Sequence, residues 1–252
     1  HVNLENQVPC NVKPEVRSKL SGCDLSGLSL QNRQFTFQDL SNVNLSGSNL
    51  TGTSFLNSNL TGAILSGADM SNVDLTNAIL TNAILQGTNI RDSQMYHTIF
   101  EGANLQNVKM TNSKLADANF NHANLTNADL SNTNLAYASI KNADLEGINL
   151  SFSNLNYALL IESNLQGSDL SKIDIYLANF SGSDFSNSKI LGVYPYSTDF
   201  SNVIFSSETQ TDSCLNTDDL SRFFNKLLRE IRNMNLEFLK PFESLIVQIC
   251  KP

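Results

Sequence analysis

The chain has no tryptophan, only five prolines among 252 residues, and no long uninterrupted apolar run. A helix that crosses a bilayer needs about 18 or more consecutive apolar residues, so no membrane span is expected. Basic residues are few and scattered: 16 Lys and Arg stand against 24 Asp and Glu, for a net charge of −8. Phosphate recognition requires clustered Lys and Arg, so direct binding of nucleic acid is not expected. Cysteine is limited to Cys10, Cys23, Cys214 and Cys250, with no CxxC spacing and no histidine at ligand spacing. A structural zinc site is therefore not expected. Pairing by terminus points to two disulfides, Cys10 with Cys23 and Cys214 with Cys250, against the alternative of buried free thiols. Disulfides imply an oxidising, extracytoplasmic compartment; free thiols leave the cytoplasm open.

What the chain does have is a period of five. From Leu25 to Phe205 every fifth residue is Leu, Ile, Met or Phe, with the single exception of Pro195. Two residues before each of these centres stands a smaller residue such as Ala63, Ala103, Ala123, Val43 or Val108, or a Ser or Thr. The residue between is usually Asn or Asp, and Ser, Thr or Gln commonly follows the centre. This period matches neither an α-helix at 3.6 nor a flat strand at 2, so the chain must turn in every pentad. Four such turns close a square coil, and stacked coils make an all-β solenoid in which residues twenty apart become vertical neighbours. The glycines fall singly, mainly two after a centre, where they serve corners rather than phosphate loops.

Ala103-Asn104-Leu105, Ala123-Asn124-Leu125, Ala128-Asp129-Leu130 and Ala143-Asp144-Leu145 resemble the A(D/N)LXX motif of the pentapeptide-repeat family. The resemblance covers about residues 21–207, departing at Arg33 and Gln38 in small inward positions and at Pro195. It implies a right-handed quadrilateral β-helix of about nine coils and a function without catalysis or cofactor. The family includes DNA-mimicking gyrase protectors and many lumenal or periplasmic proteins; if the disulfides form, the expected location is the periplasm, the thylakoid lumen or outside the cell, and otherwise the cytoplasm.

Both ends differ in composition from the repeat. Residues 1–20 contain Pro9 and Pro14 without pentads and are expected to form an N-terminal cap. Residues 208–252 form the C-terminal cap, with a helix over about 217–239. Its apolar side carries Leu220, Phe223, Phe224, Leu227, Leu228, Ile231 and Met234, with Arg222, Lys226, Arg229 and Arg232 largely opposite. The apolar side is expected on the last coil, because an uncovered β-helix end invites association. A monomer is favoured, with dimerisation through this cap as the alternative.

Within the repeats no group of residues converges as catalysis requires. His97 and His122 fall on different faces, and His97 with Asp117, one coil apart, reads as a surface pair. Numbering the faces from the pentad centred on Leu25, the fourth and first together carry a net charge of −7. All six tyrosines, Tyr96, Tyr137, Tyr157, Tyr176, Tyr194 and Tyr196, fall in third-face pentads outside the central position, joined by Phe37, Leu56, His97 and Leu177. Contiguous exposed aromatics mark contact surfaces, whereas stacked aromatics also stabilise ladders. The leading reading is a non-catalytic interaction solenoid that presents Tyr96, Tyr137, Tyr157, Tyr176 and Tyr196 to a protein partner. The alternative is a DNA mimic that inhibits or protects a type II topoisomerase, gyrase. For the cysteines, mass spectrometry of unreduced protein is expected to show Cys10 linked to Cys23 and Cys214 linked to Cys250; free thiols throughout would remove the argument for an oxidising compartment.

Overall fold

The fold is a square β-helix, and its corners are set by one backbone conformation. The computed structural model describes residue 10, residues 20–194 and residues 197–211. From Gly22 to Asn202 the residue two after each centre has φ between +53° and +72°. All twelve glycines of the chain stand at this site, and Asn fills most of the rest. Glycine lacks the Cβ that makes left-handed backbone costly, and Asn tolerates it better than other residues. The following N–H closes the turn on the carbonyl of the centre, as in Ala63 to Leu60 and Ala128 to Leu125, both 2.9 Å. A left-handed third residue within a four-residue turn is the signature of type II.

Between corners the chain is extended for three residues. The middle one pairs in parallel with the residue twenty further on, from Asp24↔Asn44 up to Asp184↔Ile204. Twenty residues therefore make one coil of four sides. The pentad around Leu45 shows where its five backbone donors go. Val43 N–H donates to Leu40 at 3.1 Å, Asn44 N–H to Cys23 at 2.8 Å, Leu45 N–H to Ile64 at 2.7 Å and Gly47 N–H to Ser66 at 2.9 Å. The remaining donor, Ser46 N–H, bonds Asn44 Oδ1 at 3.1 Å. This last bond explains the Asn or Asp before each centre: its side-chain carbonyl serves the one donor that the coils leave over. Asn49, Asn59, Asp69 and Asp129 do the same for the residues two further on.

The centres fill the interior as continuous columns, with Leu45, Leu65, Leu85, Leu105, Leu125 and Leu145 all essentially inaccessible. Aromatic centres stack on aromatic centres, Phe100 on Phe120 at 4.9 Å and 7°. Most inward Ser and Thr are equally buried, and their hydroxyls reach main-chain carbonyls, as Ser58 to Phe55 and Thr53 to Leu30, whereas the buried Ser188 hydroxyl near the last coil has no partner among the described residues. A buried hydroxyl without such a bond would be costly. Corner glycine can answer to packing as well as to φ: a Cβ on Gly102 would lie 2.5 Å from Asn82 Oδ1 of the coil before.

The ends show how the repeat tolerates departures. Arg33 and Gln38 occupy inward sites, yet their backbones keep the turn bonds to Leu30 and Phe35. Arg33 is exposed and Gln38 half-buried, because at the first coil a long side chain can run out to solvent. Cys10 and Cys23 are bridged, with Cα atoms 5.8 Å apart, which ties residue 10 to the first coil. At the other end two short strands, β1 (Lys189–Ile190) and β2 (Gln210–Thr211), pair in parallel with Lys189 opposite Gln210, an offset of twenty-one rather than twenty. A turn closed by Thr209 N–H to Ser206 supplies the extra residue. The helix expected over 217–239, Cys214 and Cys250 lie outside the described residues.

These assignments predict a sharp contrast in denaturation. Leu125→Ala, emptying a fully buried column, should lose about 2–5 kcal/mol. Its neighbour Thr126→Ala, on the outer corner, should change stability by no more than about 0.5 kcal/mol. Equal losses would mean that inside and outside are wrongly assigned.

Candidate functional site

The side chains that stand out lie at the corner between the third and fourth sides. Assigning pentads by their centres places all the tyrosines on the third face; the structure moves most of them to its edge, because the last two residues of each pentad form the turn. The flat third face itself carries polar residues such as Gln94, Lys114, Asn134, Asn154 and Asp174 at its ladder positions. Tyr137 and Tyr157 occupy successive left-handed corner sites, φ 63° and 62°. Their rings stack at 4.7 Å and 5°, and Tyr176 closes on Tyr157 edge-on at 5.6 Å. Leu177 continues the ridge with φ 56°. All four are exposed, Tyr137 most at 56%.

Ring stacking alone does not offset the backbone cost of this arrangement. Left-handed backbone costs a residue with a Cβ about 1–2 kcal/mol, so Tyr137 and Tyr157 together give up about 2–4 kcal/mol that glycine would not. A ring pair returns about 0.5–1.5 kcal/mol. Phe37 pushes the contrast further, with φ 57° and 74% exposure. Bulky residues held in disfavoured backbone and left in solvent are a mark of function.

Family models for pentapeptide repeats match the chain in eight copies, covering residues 18–55, 39–77, 143–182 and 153–192, and a model for a pentapeptide repeat region matches residues 73–150. The chain belongs to the pentapeptide-repeat family. Its four parallel ladders, joined at left-handed corners, are the quadrilateral β-helix of that family. Among solved structures it is similar to HetL, a pentapeptide repeat protein involved in heterocyst differentiation regulation in the cyanobacterium Nostoc sp. strain PCC 7120, at 25% identity over 76% of this chain and 87% of that one, TM-score 0.38. It is similar to QnrB1, a plasmid-mediated fluoroquinolone resistance protein, at 21% identity over 84% and 91%, TM-score 0.44. A pentapeptide repeat protein of the Arabidopsis thaliana thylakoid lumen is 31% identical over 42% of this chain and 66% of its own, TM-score 0.30. No curated protein matches the sequence.

Of the other residues singled out from this pentapeptide-repeat sequence, Tyr96 and Tyr194 have no ring contact with the stack among the described residues. Tyr96 is half-buried two coils below Tyr137, Tyr194 is exposed at 62% on the flat third face, and Tyr196 lies outside the described residues. His97 Nδ1 is 4.0 Å from Asp117 Oδ2, with both side chains about half exposed, so the pair is a loose surface contact. Among the described residues no group of three or more His, Cys, Asp or Glu is placed to hold a metal. No helix among them is long and apolar enough to cross a membrane.

Phe152 was passed over in the sequence. It stands at the corner that opens the third face, φ 61°, with Lys172 Nζ 4.9 Å above its ring. Also passed over were Ile64, Ile79, Ile84 and Ile99, which replace the usual Asn or Asp before a centre. Their signal was legible as three copies of Ala-Ile-Leu beginning at residues 63, 78 and 83.

Desolvation in the stack raises the Tyr157 phenol above its ordinary range, and the neighbouring Tyr137 and Tyr176 add to the effect. A phenol whose folded pKa is raised contributes stability that is present below the ordinary value near ~10 and is lost as pH rises through the folded value. Ultraviolet phenolate titration, differenced against Tyr157→Phe, should therefore show Tyr157 ionising later than free tyrosine. Tyr137→Phe, which keeps the ring but removes the second phenol, should lower it only in part, whereas Tyr137→Asn should lower it further; an unshifted Tyr157 in the wild type would dissolve the stack.

Proposed function

We propose that this pentapeptide-repeat protein is a non-catalytic interaction rod that docks a protein partner on its third-to-fourth corner. The observation that carries the reading is the placement of Tyr137, Tyr157 and Leu177 at left-handed corner sites where Gly or Asn would be cheaper. Tyrosine suits a docking edge because it offers large apolar area, a hydrogen-bonding tip and little conformational entropy to lose. Tyr96 and Tyr196 would extend the contact along the same line of pentads. The rod has about nine coils and a length of about 43 Å at the strand spacing. On this reading the monomer is the working form. The Cys10–Cys23 bridge supports an extracytoplasmic location, in the periplasm, the thylakoid lumen or outside the cell.

The DNA-mimic reading draws support from the acidic fourth and first faces, with their net charge of −7. Duplex DNA carries one charge per ~1.7 Å, about 25 over a rod this long. The protein is too sparsely charged to match it, so docking through the aromatic corner is preferred.

The test uses substitutions that suit the backbone. Tyr137→Asn and Tyr157→Asn install the residue that other corners carry, and Tyr176→Ser removes the edge-on ring. The triple variant should keep the circular dichroism of the wild type and should lose the partner captured from host extract by wild-type protein. Retention of every wild-type partner would reduce the ridge to a structural stack. Loss of partners in Asp144→Asn/Glu146→Gln instead would move function to the acidic side.

A further inference from the structure

We infer that a second docking surface, independent of the aromatic corner, lies around the corner between the fourth and first faces, where Ile64, Ile79, Ile84 and Ile99 form an apolar block that takes a short cationic amphipathic segment of a partner protein. Ile64 pairs with Ile84 in the ladder of the first face, and Ile79 with Ile99 in that of the fourth. Two columns, each two residues tall, therefore flank one corner. The left-handed residues of that corner are Gly62, Asn82 and Gly102, which leave it low between the isoleucines. Ile64, Ile79 and Ile84 are 37–40% exposed, and Ile99 is half-buried.

The block comes at the expense of turn bonds. Elsewhere the Asn or Asp at this position gives its side-chain carbonyl to the next corner N–H, as Asn44, Asn59 and Asn104 do. Isoleucine has no acceptor, so Ser66, Thr81, Gln86 and Glu101 forgo that bond at four neighbouring places. Single exposed aliphatics are ordinary on a protein surface, whereas a contiguous apolar patch ringed by polar residues marks an interaction site.

Charge and size define the occupant. The fourth and first faces carry eight acids against the single base Lys141; Glu101 sits at the corner inside the block, and the other seven lie in coils below and above it, Asp39 two coils below Ile79 and Asp144 three above Ile84. A segment with Lys or Arg flanking its aliphatic row would be drawn to this side, and an acidic one repelled. Two coils span about 10 Å, far less than the ~800 Å² per partner of a standard interface. The block therefore suits a segment that seats one apolar row, not a domain.

The full chain is titrated with a synthetic amphipathic Leu/Lys peptide and with a Leu/Glu peptide of the same pattern. The wild type should bind the Leu/Lys peptide saturably, more weakly as salt rises, and should not bind the Leu/Glu peptide. Ile64→Asn/Ile79→Asn/Ile84→Asn/Ile99→Asn restores the residue usual at these positions and leaves the charge unchanged. It should weaken binding at least about tenfold, as expected when the apolar centre of a contact is removed. If the quadruple variant fails to fold, Ile84→Asn alone is read in the same titration. Undiminished Leu/Lys binding to the variant would leave bare charge attraction and overturn the proposal. Equal binding of the Leu/Glu peptide, or no binding to the wild type, would overturn it as well.

Discussion

Everything in this molecule depends on a left-handed residue at every fifth position. That conformation turns the chain through a corner, and the interval of five brings a large apolar side chain inward on each side of the square. The side-chain carbonyl one residue before the centre then takes the donor that the coils above and below cannot reach, as Asn44 does for Ser46. Left-handed corner, buried centre and carbonyl-bearing shoulder form one device, and the rod is that device repeated.

A consequence is that the fold fixes some positions and leaves others free to vary. The centre and the small inward residue hold the fold. The corner residues must permit their backbone angles, yet their side chains project into solvent and are free to vary. Tyr137, Tyr157 and Leu177 exploit that freedom at a conformational cost, whereas Ile64 and its three companions exploit the shoulder position and give up a hydrogen bond. Each use departs from the cheapest residue for its site, and each is confined to a few adjacent coils.

The centres, the inward small residues and the twenty-residue vertical spacing were legible in the sequence, because an unbroken period leaves the backbone a single way to close. Where a pentad bends was less legible. The tyrosines read as residues of a face until the turn proved to occupy the last two positions of the pentad, which carries Tyr137 and Tyr157 onto an edge. Arg33 and Gln38 depart from the small inward residue, but backbone hydrogen bonding does not depend on what the side chain does there, and their turns are intact. The slip to an offset of twenty-one between Lys189 and Gln210 had no compositional signal, since Ser206 and Thr209 resemble the polar residues of every other corner. The isoleucine block is spelled by the repeated Ala-Ile-Leu, but that its four isoleucines flank one corner emerges only once the coil of twenty is closed.

The identity of all four sides has an evolutionary corollary. Inserting or deleting one pentad would leave every centre buried and every corner in phase, so the core would scarcely register the event. The surface would register it fully: all residues beyond that point would rotate by a quarter turn relative to those before it. The aromatic ridge around Tyr137 and the isoleucine block around Ile84 could thus be brought into line, or set on opposite sides, by a change of five residues that alters neither. Few folds allow the relative bearing of two surfaces to be reset in such discrete steps without redesigning what lies between them.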